Sequence, residues 1–179
     1  MLKRYVHRPA HLFLDGQAYF ITGAIYKKRP LLKDTRIKEM LLSAIQTSFA
    51  KYGWDLEHWV ILDNHYHLLA KSKFGEDLPL VIKSIHGSTG VAISKTCSCE
   101  KPIWYNYWDY CPRNEHEYYT RLNYLLNNPI KHGYVENLHD YPHSSFHELF
   151  KEWGREHLAE QFRAYPTNTI IEEAQYDDF

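Results

Sequence analysis

The sequence predicts an α+β fold: an antiparallel sheet threaded in β-α-β-β-α-β order, with an added helix and a C-terminal extension. Three observations carry that prediction. Short apolar runs rich in β-branched and aromatic residues alternate with longer segments whose apolar residues recur at helical spacing. Asp63-Asn64 separates two adjacent runs by the length of a tight turn, which pairs them as a hairpin. The chain of 179 residues is 44% hydrophobic and 16% aromatic, enough for one packed domain.

Residues 17–26 (QAYFITGAIY) form the first predicted strand. A helix follows over 32–52, with Asp34 as its candidate N-cap and Ile37, Met40, Leu41, Ala44, Ile45 and Phe49 as its apolar face. Gly53 stops it. Residues 54–62 and 65–71 are the hairpin strands, and 78–94 a second helix, with a bend expected near Gly87 and Gly90. Residues 103–110 make the fourth strand and 115–128 the third helix. There Pro129 disfavours helical backbone at the residue before it and so places Asn128 at the helix end. This order is ferredoxin-like, with the helices expected mainly on one face. Beyond Gly133 the chain reads as irregular, then as a short helix around 147–162.

The formal net charge is −1, which by itself indicates no nucleic-acid partner. Its distribution is uneven. Residues 166–179 carry Glu172, Glu173, Asp177 and Asp178 with no Lys or Arg, and the rest of the chain is net basic. Up to Arg36 the basic residues are Lys3, Arg4, Arg8, Lys27, Lys28, Arg29, Lys33 and Arg36, against Asp15 and Asp34. Such bias fits a phosphate-facing surface or an ordinary solvated face. No segment has the apolar length of a membrane span, and the first residues lead into no export signal. With Cys97, Cys99 and Cys111 unable to pair completely, a cytoplasmic location is expected. Cys97-x-Cys99 lacks the partners of a zinc site.

Two constellations carry chemistry. In His65-Tyr66-His67 the imidazoles stand at i and i+2 of a strand and emerge on one face, the start of a metal site. Tyr124 and Asn128 stand one helical turn apart on a shared face. Each has an ordinary reading: surface histidines, a packing tyrosine, a capping asparagine. Tyr119 and Asn123 repeat the spacing, with Tyr118 one step away, but Asn123 sits mid-helix and is rotated away from the direction of Asn128.

Taken together, the motifs resemble the HUH superfamily of single-strand endonucleases, and within it the one-tyrosine (Y1) transposases of the IS200/IS605 type. The resemblance is strongest to the REP-associated tyrosine transposases. It rests on Leu62-Asp63-Asn64-His65-Tyr66-His67-Leu68-Leu69 and on Tyr124-Leu125-Leu126-Asn127-Asn128-Pro129-Ile130-Lys131-His132-Gly133. Ile103-Trp104 with the aromatic run behind it, and Tyr141-Pro142-His143-Ser144-Ser145, extend it over residues 17–146. Asn128-Pro129 favours the REP-associated branch, where the insertion-sequence branch usually carries Gln. Leu62-Asp63 replaces the usual Met-Pro.

The resemblance implies that His65, His67 and Asn128 bind a divalent metal ion, Mg²⁺ or Mn²⁺, with Tyr124 as nucleophile. It implies a 5′-phosphotyrosine intermediate on single-stranded or hairpin DNA, within a catalytic domain of residues 1–150. Residues 151–179 then form an extension with an acidic tail. Lys27, Lys28, Arg29, Lys83, Arg121 and Lys131 are candidate phosphate contacts, beside His86 and Lys95. Tyr105, Tyr107, Trp108 and Tyr110 are candidate stacking surfaces for unpaired bases. A monomer and a homodimer that exchanges nucleophile helices both fit. The competing readings are a domesticated, non-catalytic nucleic-acid-binding domain and a metal-dependent hydrolase that forms no protein–DNA bond.

Overall fold

A computed structural model describes residues 13–170. The basic residues Lys3, Arg4 and Arg8 and the carboxylates of the acidic tail lie outside that range. The strands are β1 (Ala18–Ile25), β2 (Asp55–Ile61), β3 (His65–Lys71) and β4 (Trp104–Tyr110). The helices are α1 (Thr35–Tyr52), α2 (Leu78–Cys97), α3 (Glu115–Lys131) and α4 (Phe146–Ala164). The sheet is antiparallel in the order β2-β3-β1-β4, the ferredoxin-like arrangement.

Side-chain alternation along the strands divides the core in two. Tyr19, Ile21, Tyr66 and Leu68 face α1 and α2 through Leu41, Ile45, Val81 and Ile85. Phe20, Val60 and Leu69 face the other way, against Leu122, Leu125 and Leu126 of α3 and Leu149 and Leu158 of α4. The helices therefore cover both faces, not mainly one, because α3 and α4 carry enough apolar surface to bury the second. α1 starts as predicted: Asp34 accepts from the Arg36 backbone N–H at 2.8 Å, satisfying one of the unpaired donors of the first turn. Asn114 caps α3 on Glu117 N–H at 2.9 Å.

Two sequence readings are corrected. α2 runs through Gly87 and Gly90 as one helix to Cys97. At Gly90 a Cβ would stand 3.4 Å from the Trp104 ring, an ordinary contact, so packing does not require glycine there. α3 also does not end at Asn128 but continues through Pro129 to Lys131. A proline in a helix loses one N–H donor and crowds the preceding turn. Here bonds beyond it offset that cost: His132 N donates to Asn128 O at 3.0 Å, and Tyr134 N to Pro129 O at 2.9 Å. Gly133 makes them geometrically possible with a left-handed φ of 70° and donates to Ile130 O at 2.9 Å.

Candidate active site on the sheet face

β3 pairs with β1 so that His67 lies opposite Thr22 and His65 opposite Ala24. Both imidazoles emerge on the face that α3 covers, with ring centroids 5.0 Å apart. Each is held through Nδ1. His65 Nδ1–H donates to Asn64 Oδ1 at 2.7 Å, and His67 Nδ1 shares a 2.8 Å hydrogen bond with Thr22 Oγ1. Burial pushes the His65 imidazole down to about 3 and holds His67 well below the usual histidine range, so both rings are neutral.

Three buried atoms here have no hydrogen-bond partner: His65 Nε2, His67 Nε2 and Asn128 Oδ1. Asn128 is fully buried on α3 with its side chain beside His65. Leaving a buried acceptor unpaired costs about 1–3 kcal/mol, so their gathering at one place calls for an explanation. Among the described residues, no three His, Cys, Asp or Glu side chains form a group able to hold a metal ion. A donor set at this place therefore needs a third ligand of another kind, which the Asn128 amide oxygen fits.

Tyr124 completes the cluster. Its ring lies edge-on to His67 at 5.5 Å and to Phe20 at 6.0 Å. Lys131 Nζ donates to the Tyr124 hydroxyl at 2.9 Å and sits 4.5 Å from the ring centroid. The continuation of α3 through Pro129 is what brings Lys131 there. The ammonium read from sequence as a phosphate contact is thus first of all a partner of the tyrosine.

Residues 16–111, more than half of the chain, match the family model described as transposase IS200-like, Y1_Tnp. The chain belongs to that family. A REP-associated tyrosine transposase of Escherichia coli K12 is 28% identical over 136 residues, covering 75% of this chain and 79% of the relative. A second candidate of that description, from Haemophilus influenzae, is 30% identical over 159 residues and is covered over 90% of its length. Among solved structures, a REP-associated tyrosine transposase bound to a REP hairpin superposes with a TM-score of 0.68 at 26% identity, covering 80% of this chain and 84% of the other.

The remaining site candidates of this transposase scatter. Arg121 is buried one turn before Tyr124, its guanidinium 3.8 Å from the Tyr110 ring centroid and 5.3 Å from that of Phe20. Lys27 and Lys28 lie exposed in the turn after β1, and Lys28 O accepts from Asn64 Nδ2 at 3.2 Å. Arg29 braces that turn, donating to Tyr26 O and Glu100 O at 3.0 Å each, and to Pro102 O. Lys83, His86 and Lys95 belong to α2, on the opposite face of the sheet from the histidine pair. Cys97, Cys99 and Cys111 form no disulfide with one another. Among the described residues no helix is long and apolar enough to cross a membrane.

Sequence reasoning gave no role to three participants. His132 stands edge-on to His65 at 5.2 Å, and burial lowers its pKa. Lys38 is buried, pairs with Asp63 Oδ1 at 2.7 Å and donates to the Tyr141 hydroxyl at 3.2 Å. Tyr141 Oη in turn donates to Ile61 O at 2.7 Å, so Lys38 and Tyr141 fasten the turn that presents Asn64 and His65. A buried lysine in an otherwise amphipathic helix was the available signal, at position 38.

Proposed function

We propose that this transposase cleaves and rejoins single-stranded DNA, at a hairpin or repeat, through Tyr124. His65, His67 and Asn128 would hold a divalent metal ion, Mg²⁺ or Mn²⁺. The observation that carries the reading is the meeting of three unpaired buried donor atoms beside the ring of a tyrosine whose hydroxyl an ammonium already contacts. His65 Nδ1–H donates to Asn64 Oδ1, which leaves its Nε2 a lone pair for the ion, and His67 Nε2 has one in the tautomer whose Nδ1–H donates to Thr22 Oγ1. When bound, the metal neutralises phosphate oxygens and aligns the scissile bond.

The side chains do the rest. Tyr124 Oη attacks phosphorus, and the bond from phosphorus to the 3′ oxygen breaks. One proton leaves the phenol and one reaches the departing 3′ oxygen. The products are a 5′-phosphotyrosine and a free 3′-hydroxyl. Lys131, donating to Oη, stabilises negative charge as it develops there. Arg121 holds fixed positive charge one turn away. Because the phosphodiester becomes a phosphotyrosyl ester and not a hydrolysed end, the reverse attack by a 3′-hydroxyl rejoins DNA without another energy source.

The catalytic unit is assigned to residues 1–150 and the location to the cytoplasm. Incubation with labelled hairpin DNA and Mn²⁺ tests the mechanism. A covalent adduct that survives denaturation and maps to Tyr124 is expected. Cleavage without an adduct would indicate a hydrolase, and binding without cleavage a domesticated module.

A further inference from the structure

α3 packs mainly over β2 and β3 on the site face and reaches the β1–β4 half through Arg121, whose guanidinium meets the Phe20 and Tyr110 rings; beyond that contact this half carries further aromatic rings. Trp108 of β4 lies opposite Thr22 of β1, which itself lies opposite His67 of β3. Paired residues share a face, so Trp108 emerges on the histidine side, two strands or about 10 Å from His67. The rings continue outward from it. Trp108 stacks on Tyr105 with centroids 5.8 Å apart and planes at 30°, and Tyr105 stacks on Tyr26 at 6.1 Å and 29°. Tyr105 is 50% exposed, on an edge strand.

Positive charge borders the outer end of this ladder. Lys27 and Lys28 are exposed, with left-handed φ values of 58° and 52° in the turn after β1. Lys27 Nζ lies 5.5 Å from the Tyr26 ring centroid. The Arg29 bonds to Glu100 and Pro102 carbonyls tie that turn to the segment entering β4, which keeps Tyr26 and Tyr105 neighbours. The one carboxylate of β4, Asp109, pairs opposite Ile21 and faces the other side of the sheet.

We propose that Tyr26, Tyr105 and Trp108 form a subsite for unpaired nucleotides of single-stranded DNA adjoining the cleaved phosphate. Bases stack on the rings, and Lys27 and Lys28 meet the intervening phosphates. This rests on the DNA-cleaving reading above and adds to it where the unpaired strand lies. Stacked aromatic faces accept any base, while a duplex presents no free base face along its length, so the ladder selects for unpaired strand without reading its sequence.

The test uses metal-free full-length protein and two hairpins, one blunt and one with an unpaired flank carrying 2-aminopurine at successive positions. Wild-type protein is expected to bind the flanked hairpin more tightly and to quench the flank fluorescence. Tyr105→Ala and Trp108→Ala should each weaken flanked binding about tenfold, abolish quenching at one position and leave blunt binding unchanged. Tyr105→Phe should retain both. Lys27→Ala with Lys28→Ala should lower the salt dependence of flanked binding only, by a slope of about 1.4. Equal losses on both hairpins, or wild-type behaviour of the alanine variants, would overturn the subsite. So would wild-type protein that gains nothing from the flank, with the DNA-binding reading intact. Failure to bind either hairpin would remove that reading and the subsite with it.

Discussion

α3 carries two tyrosine–asparagine pairs of identical spacing, and the structure treats them in opposite ways. Asn128 is fully buried with its Oδ1 unpaired beside the histidines. Asn123 is equally buried, but it donates to Gln161 O at 3.0 Å and Tyr165 O at 2.8 Å and accepts from Gln161 Nε2 at 2.7 Å. Tyr124 faces His67 and receives Lys131, whereas Tyr119 stacks on Tyr165 at 4.9 Å and meets Trp153 at 6.4 Å. Tyr118 is occupied with Glu57, donating to Oε2 at 2.9 Å. Helical spacing thus creates candidates, and the neighbouring elements decide between them. The sheet leaves one asparagine oxygen open, while α4 uses the other asparagine as a clasp.

The largest expected effect separates the tyrosines. Tyr124→Phe should abolish the covalent protein–DNA adduct on a denaturing gel, and Tyr119→Phe should leave its rate near wild type. An adduct peptide bearing Tyr119 or Tyr118 would reverse the comparison. Next comes Lys131, for which the Tyr119 pair has only Leu126 at the equivalent position. Lys131→Met should slow adduct formation by about 10²-fold, as expected for loss of one charge-stabilising donor. Lys131→Arg should recover part of that rate. Equal rates in all three proteins would show that the ammonium serves only folding.

The pattern of the two pairs also marks what sequence could and could not reveal. Strand parity is local, so the shared face of His65 and His67 was legible, as were the bounds His65–Lys71. The end of α3 was not. Pro129 is a strong local signal, and the bonds through Gly133 and Tyr134 that override it come from the following turn. The Lys131–Tyr124 contact depends on that override. The fate of Asn123 depends on Gln161, a partner far along the chain on a helix whose packing no periodicity fixes. Arg29 reads from sequence as a candidate phosphate contact because its carbonyl acceptors lie far along the chain, in the approach to β4.

A smaller effect should distinguish the asparagines by stability. Asn123→Ala removes three hydrogen bonds, two of them buried, and leaves Gln161 Nε2 without its acceptor, which should cost about 2–3 kcal/mol, or about 5–10 °C in Tm. Asn128→Ala removes an oxygen that has no partner and one long 3.4 Å bond to Tyr124 O, so metal-free stability should change little. Activity should move the other way: cleavage lost in Asn128→Ala and kept, per folded molecule, in Asn123→Ala. Thermal melts without metal, set beside adduct yields with Mn²⁺, check both halves. Equal destabilisation by the two substitutions would mean that Asn128 is a structural clasp as well.

The smallest effect comes from what titrates beneath each pair. Tyr119 meets Tyr165 and Trp153, whereas Tyr124 meets His67, which neighbours His65. Burial lowers the folded-state pKa of His65 from 6.5 to about 3. An unfolded chain near its ordinary value therefore binds a proton below about pH 6.5 that the folded chain refuses. Stability is fully present above that value and is lost as pH falls toward the folded pKa. For one histidine the loss approaches about 1.4 kcal/mol per pH unit. Metal-free urea midpoints should thus be flat from pH 8 to about 7 and decline from about 6 to 5. His86, packed on Trp104 on the opposite face and also lowered to about 3, adds to that slope in the same direction. His86→Gln should remove its share without touching adduct formation at pH 7. His65→Gln should remove a similar share and abolish adduct formation. Saturating Mn²⁺ should raise the midpoint at pH 7 in wild type and His86→Gln, but not in His65→Gln. A metal response retained in His65→Gln would mean that the ion binds somewhere other than the open side of the Tyr124 pair.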